Sequence, residues 1–146
     1  MHEYSVELLI VGDDVIEGIV SAKLGLKPTV FLMKGEPLGP TKVRKRSVWS
    51  FSVGPSAGNL AWRSLDDGLR CLAEKLLPLR DALAELSRRY EISAYCGHFG
   101  SGFGGGPSIS AGTLRMLAEL GLTLTIKTYW GEEPSDQTSE RATSEA

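Results

Sequence analysis

Residues 65–90 read LDDGLRCLAEKLLPLRDALAELSRRY, and the placing of their large apolar side chains decides the fold. Leu65, Leu69, Leu72, Leu76, Leu79, Leu83, Leu86 and Tyr90 follow at intervals of 4-3-4-3-4-3-4, which puts eight side chains on one helical face. The opposite face carries Arg70, Glu74, Lys75, Arg80, Asp81 and Glu85 and is expected in solvent. Asp66 and Asp67 open the segment and Arg88 and Arg89 close it, which suits the helix dipole at both ends. Ser64 reads as the N-cap, with Asp67 three residues on. Pro78 cannot donate to the Glu74 carbonyl and crowds that turn, so a kink, or a break and restart, is expected near residues 76–78. A straight helix of this length would reach about 39 Å, whereas a six-residue strand spans about 20 Å. Two arms on one apolar surface therefore fit a sheet better than one rod. A dimer seam would show flanking charges over several heptads, and Pro78 would interrupt it, so the leucine face reads as the lid of a core.

The totals suit one globular domain over residues 1–130. The chain has 146 residues, 42% hydrophobic and 23% charged, enough to bury a core without staples. A net charge of -2 and a pI near 5.7 give no general attraction to nucleic acid or to an anionic membrane. Two cysteines, Cys71 and Cys96, are too few for a disulfide framework and read as reduced thiols of a cytoplasmic protein. No stretch reaches 18 uninterrupted apolar residues, so neither export nor a membrane span is expected.

Taken in order, residues 6–11 form an apolar run interrupted by Glu7, and Gly12-Asp13-Asp14 turns the chain into a helix. Val15, Ile16, Ile19, Val20 and Leu24 recur at helical spacing, and Gly25 stands where a left-handed cap is expected. Residues 29–33 resume a strand, which a Gly- and Pro-dense loop over 34–40 stops. In the next strand Trp49, Phe51 and Val53 alternate with Val48, Ser50 and Ser52, and the first three read as core. Residues 54–58 form a loop that leads through Trp62 into the long helix. A strand over 92–99 follows, then a glycine-rich loop over 97–106. Ser108 or Ser110 caps a helix carrying Leu114, Leu117, Ala118 and Leu120, and residues 122–130 form the last strand. Residues 131–146 lack any large apolar residue and are expected to be a disordered polar tail. Ala22-Lys23-Leu24-Gly25-Leu26 matches Ala118-Glu119-Leu120-Gly121-Leu122, each Gly reversing helix into strand. The order β-α-β-β-α-β-α-β fits an α+β two-layer sandwich. Its sheet is mixed or mostly antiparallel with about five strands, a ferredoxin-like core with one extra α-β step, covered by the long kinked helix and shorter ones.

The Leu24-Gly25-Leu26-Lys27-Pro28 step, the Lys34-Gly35 turn, Trp49 on the next strand, the leucine helix, the glycine-rich loop and the closing Leu120-Gly121-Leu122 strand ending in Tyr129 come in a telling order. Over roughly residues 4–130 they resemble the bacterial domain-of-unknown-function family 4279. The resemblance implies a small intracellular bacterial domain and supplies no activity, cofactor or catalytic residue.

Four constellations invite chemistry. Gly100-Ser101-Gly102-Phe103-Gly104-Gly105 fits G-x-G-x-x-G between a strand and a helix, where backbone N–H groups can face a phosphate. Six glycines in ten residues make that match cheap, no acidic residue stands about 20 residues beyond its last glycine, and no lysine follows. Gly54-Pro55-Ser56-Ala57-Gly58 fits G-x-S-x-G, with Asp81 and His98 in hydrolase order, yet it lacks the sharp strand-to-helix turn of a nucleophile elbow. Cys96 and His98 share a strand face, but two ligands do not hold a structural zinc and His2 is expected at a mobile end, so no metal is assigned. Lys42, Arg44, Lys45 and Arg46 precede Trp49 and Phe51, which suits nucleic acid but equally an edge strand guarded by charge.

No acid, base and nucleophile converge in the sequence. The expectation is a non-enzymatic interaction module of immunity or regulatory type, monomer or homodimer, without a cofactor, that recognises another protein rather than nucleic acid or membrane. His98, Phe99, Ser101, Gly102 and Phe103 are its expected contact residues. The alternative is a small enzyme or sensor that binds a phosphorylated ligand or nucleotide at the glycine-rich loop.

Overall fold

In the computed structural model, residues 2–100 and 106–130 are described. The expected tail over 131–146, and Ser101, Gly102 and Phe103 of the expected contact surface, lie outside the described residues.

The first strand, β1 (His2–Gly12), is the centre of the sheet, with β3 (Ser47–Val53) on one side and β4 (Glu91–Gly100) on the other, both antiparallel to it. Its apolar run is buried on both faces, as a central strand requires, and it extends four residues earlier than the apolar run itself because its first residues pair with β4. The short β2 (Val30–Leu32) pairs with β3, and β5 (Thr123–Trp130) pairs in parallel with β4, giving the order β2-β3-β1-β4-β5. The run β4-β1-β3-β2 is antiparallel throughout, which is the ferredoxin-like arrangement, and β5 is the added step. The α+β sandwich expected from the element order is thus present.

The helices are α1 (Glu17–Leu24), α2 (Leu65–Leu76), α3 (Arg80–Ser87) and α4 (Ala111–Glu119). Between α2 and α3 lies a single 3-10 turn, Leu77–Leu79, centred on Pro78. The missing N–H of Pro78 ends the α-helical ladder, and the tighter turn restarts it without losing phase. Leu65, Leu69, Leu72, Leu76, Leu83 and Leu86 are buried against the sheet on both sides of that turn. The Ser64 hydroxyl accepts from Asp67 N at 3.2 Å, as the cap requires. Ser110 caps α4 in the same way through Thr113 N. Asp66 joins the two helix starts, since Oδ1 accepts from Ser110 N at 2.9 Å and Oδ2 from Arg70 at 2.6 Å. Burial alone would raise the Asp66 carboxyl, but those bonds, those of the Ser110 and Thr113 hydroxyls and the Arg70 charge together hold it below its ordinary range.

Gly25 and Gly121 both adopt left-handed backbone, φ 66° and 69°, and reverse their helices into the sheet as the repeated Leu-Gly-Leu step implies. Trp49 and Val53 are buried in the main core with Phe51 packed on it, in agreement with the strand alternation.

Three expectations need correction. Ile16 and Ile19 are exposed, because α1 starts only at Glu17 and places Val20 and Leu24, four residues apart, on the sheet; Ile16 is left on the extended cap. Leu114 is likewise exposed, while Thr113 and Leu117 form the inner face of α4. The basic run before Trp49 does not guard an edge strand, because β2 pairs with β3 on its outer side. Behind the main layer a second buried cluster, Leu9, Val11, Val48 and Tyr95 with Leu32 beside it, occupies the other face of the sheet.

Both cysteines are free. Cys96 is fully buried in the main core, and burial, with the nearby Glu7 charge as a second cause, pushes its thiol up to about 12. Cys71 is half-buried on α2. A thiol reagent at pH 8 is therefore expected to titrate one cysteine quickly in the folded protein and the second only after addition of denaturant. Two equally fast thiols would mean that Cys96 is open to solvent, contrary to its burial in the main core.

Candidate functional site

Strand register brings together residues that lie far apart in sequence. Tyr4 stands opposite His98, and His98 opposite Thr128; one step along the same face, His2 stands opposite Gly100, and Gly100 opposite Trp130. His2, Tyr4, His98, Thr128 and Trp130 therefore share one face at the start of β1 and the ends of β4 and β5. Gly100 sits among them without a side chain. A Cβ there would stand 2.5 Å from His2 Nδ1 and 3.1 Å from Trp130 Cζ3, so the bare backbone makes room for both rings.

His98 is the hub. Its Nε2 lies 2.8 Å from His2 Nδ1, a hydrogen bond in which one imidazole donates and the other accepts. Its Nδ1 lies 3.5 Å from Thr128 Oγ1. The Tyr4 ring stacks on it at 4.8 Å, and the Trp130 ring is 5.8 Å away, with Trp130 also edge-on to His2 at 6.1 Å. His98 is buried, and burial first, then the neighbouring His2, lowers its pKa below the ordinary histidine value. A neutral imidazole keeps a lone pair on one nitrogen, so the pair can pass a proton or offer nitrogen ligands.

The strand runs on to Gly100, so His98 and Phe99 belong to the ladder and do not project from a loop starting at Gly97. Alternation sends them to opposite faces. Phe99 stacks on Tyr129 at 5.2 Å, with Lys127 Nζ 5.4 Å from the Tyr129 ring. His2 is not at a free end but on β1, held by pairing with Gly100 and by the bond to His98. Sequence reasoning singled out His98 and Phe99 and missed Tyr4, Thr128 and Trp130. The usable signal was parity: once β4 pairs with β1 and β5, every second residue of each strand falls on the His98 face.

The other constellations do not assemble. Trp49 is fully buried and offers no open ring face, and Arg46 bonds Glu91 and the Val11 carbonyl. Ser56 lies in the 54–62 loop, paired through the backbone with Asn59, while the bonds of His98 go to His2 and Thr128. Among the described residues no group of three or more His, Cys, Asp and Glu is placed to hold a metal ion. No helix among them is long and apolar enough to cross a membrane.

A ferredoxin-like α+β domain extended by one α-β step, with a histidine and aromatic cluster where β1 begins and β4 and β5 end, defines the class of this protein. The chain belongs to the domain-of-unknown-function family DUF4279, whose model matches residues 2–131. Comparison with the curated proteins and with the solved structures finds no match.

Proposed function

We propose that the protein is a non-catalytic bacterial interaction module of the cytoplasm, of immunity or regulatory type, and that it docks another protein on the His98 face. The supporting observation is Trp130, which is 55% exposed while its ring is placed against His2 and the buried His98. An exposed indole held by neighbours is a typical anchor for a protein partner, because it offers a large apolar surface at small entropic cost. Ile126, exposed on the same face of β5, widens the apolar surface.

The test is recovery of a partner from cells of the source organism with the wild-type chain and with Trp130→Asp as baits. Loss of an anchor of this kind costs about 2 kcal/mol or more, roughly thirtyfold in affinity, so a protein kept by the wild type and lost by the variant is expected. Equal recovery by both baits removes Trp130 from the interface. The rival reading, a phosphorylated ligand at the glycine-rich segment, predicts a raised melting midpoint with one member of a nucleotide panel, which the interaction reading does not.

A further inference from the structure

The structure assigns a second property to the histidine pair, one independent of any protein partner: we propose that His2 and His98 form a two-histidine site for an exchangeable divalent transition ion whose coordination water completes, not a structural metal site, zinc(II) being the ion it suits. The two ring centroids are 5.0 Å apart and the facing nitrogens 2.8 Å. Each nitrogen lies about 1.1 Å from its own ring centre, so the rings meet nearly end to end and their nitrogens point at each other.

Two imidazole nitrogens bound to one tetrahedral zinc, each at about 2.0–2.1 Å, stand about 3.3 Å apart. The pair needs to open by only about half an ångström and to turn, so that the ion takes the place of the shared proton, which passes through solvent to the outer nitrogen, Nε2, of His2 and leaves both imidazoles neutral. The two partners divide the labour of that change. His98 is buried and held by Tyr4 stacking, with Thr128 Oγ1 3.5 Å from its Nδ1; the tautomer that carries its proton on Nδ1 presents Nε2 as the ligand nitrogen. His2 is half-buried at the first residue of β1 and is the side that adjusts. Water completes the coordination from the open Trp130 side.

Imidazole ligands without carboxylate favour zinc, copper or nickel over magnesium or calcium. The bound ion ties the start of β1 to the end of β4.

The experiment is calorimetric titration of the full chain with zinc chloride, paired with thermal melts in zinc and in a chelator. One zinc per chain and a midpoint raised by zinc are expected. His98→Gln is expected to weaken binding more than tenfold and to abolish the midpoint shift. Gly100→Ala keeps both imidazoles but drives the His2 ring from its place, and it is expected to weaken binding in the same way. Circular dichroism confirms that each variant folds, and His2→Gln, at the less buried position, replaces His98→Gln if that variant does not. Wild-type protein that takes up no zinc at millimolar concentration overturns the site, as does binding that His98→Gln or His2→Gln leaves unchanged.

Discussion

Trp49→Ala is expected to lower the stability of the fold by about 3–5 kcal/mol, the cost of removing a buried large aromatic ring and leaving its cavity. Trp49 is fully buried in the main core, at the middle of β3, opposite Ile10 on one side and Phe31 on the other. Its Nε1–H donates to Ser21 Oγ at 3.1 Å, a bond that ties the sheet to α1. Truncation therefore removes a ring from the core and a polar link between layers at once. Against a total of about 5–15 kcal/mol for a domain of ordinary stability, the loss lowers the melting midpoint by about 10–20 °C. Trp49→Phe separates the two contributions, since it keeps an aromatic ring and loses the indole donor; a loss of about 1–2 kcal/mol is expected from the smaller ring and the broken bond. Urea denaturation of the three proteins measures this series. A Trp49→Ala loss below about 1 kcal/mol would mean that the layers relax around the gap, contrary to the packing described.

The frame of the molecule was legible because it is written locally. Ser64, the leucine phase, Pro78, Gly25 and Gly121 each act within a turn or two of backbone, through a cap, a lost donor or a left-handed residue, and each stands where the sequence places it. The histidine cluster is different in kind. His2 and His98 are 96 residues apart, and only the register of β1 on β4 joins them. A slip of one residue would send His98 to the face of Phe99. No periodicity inside one segment contains that information. The same holds for Trp130, whose partners depend on the parallel pairing of β5 with β4. The burial of Leu9, Val11, Val48 and Tyr95 behind the sheet is the middle case: the near-continuous apolar run of β1 announces two buried faces, yet Ser50 and Ser52 on β3 argue for solvent there.

Gly54→Ala is expected to cost about 3 kcal/mol, at the upper end for an overpacked site, although the change adds a single methyl group in a loop. A Cβ at Gly54 would fall well inside contact distance of the Asn59 carbonyl oxygen, 2.8 Å from Asn59 C and 2.9 Å from Leu60 Cα. All three are backbone atoms, so no side chain can swing aside, and the loop itself must move. It is anchored where it would have to give. Ser56 and Asn59 bridge, Gly58 is left-handed at φ 79°, and Trp62 exchanges two 2.8 Å backbone bonds with Tyr4 while its Nε1–H donates to the Val53 carbonyl at 2.9 Å. Displacing residues 59–60 therefore strains the pairing of Trp62 with β1, next to the His98 face. Gly58→Ala meets open space and carries only the left-handed penalty of about 1–2 kcal/mol, and Ser56→Ala, at an exposed position, is expected within about 0.5 kcal/mol of wild type. Packing makes Gly54, not Ser56, the position on which the stability of the segment depends. Denaturant unfolding of the three variants measures this order, and equal stability of Gly54→Ala and wild type would leave the G-x-S-x-G spacing without its structural explanation.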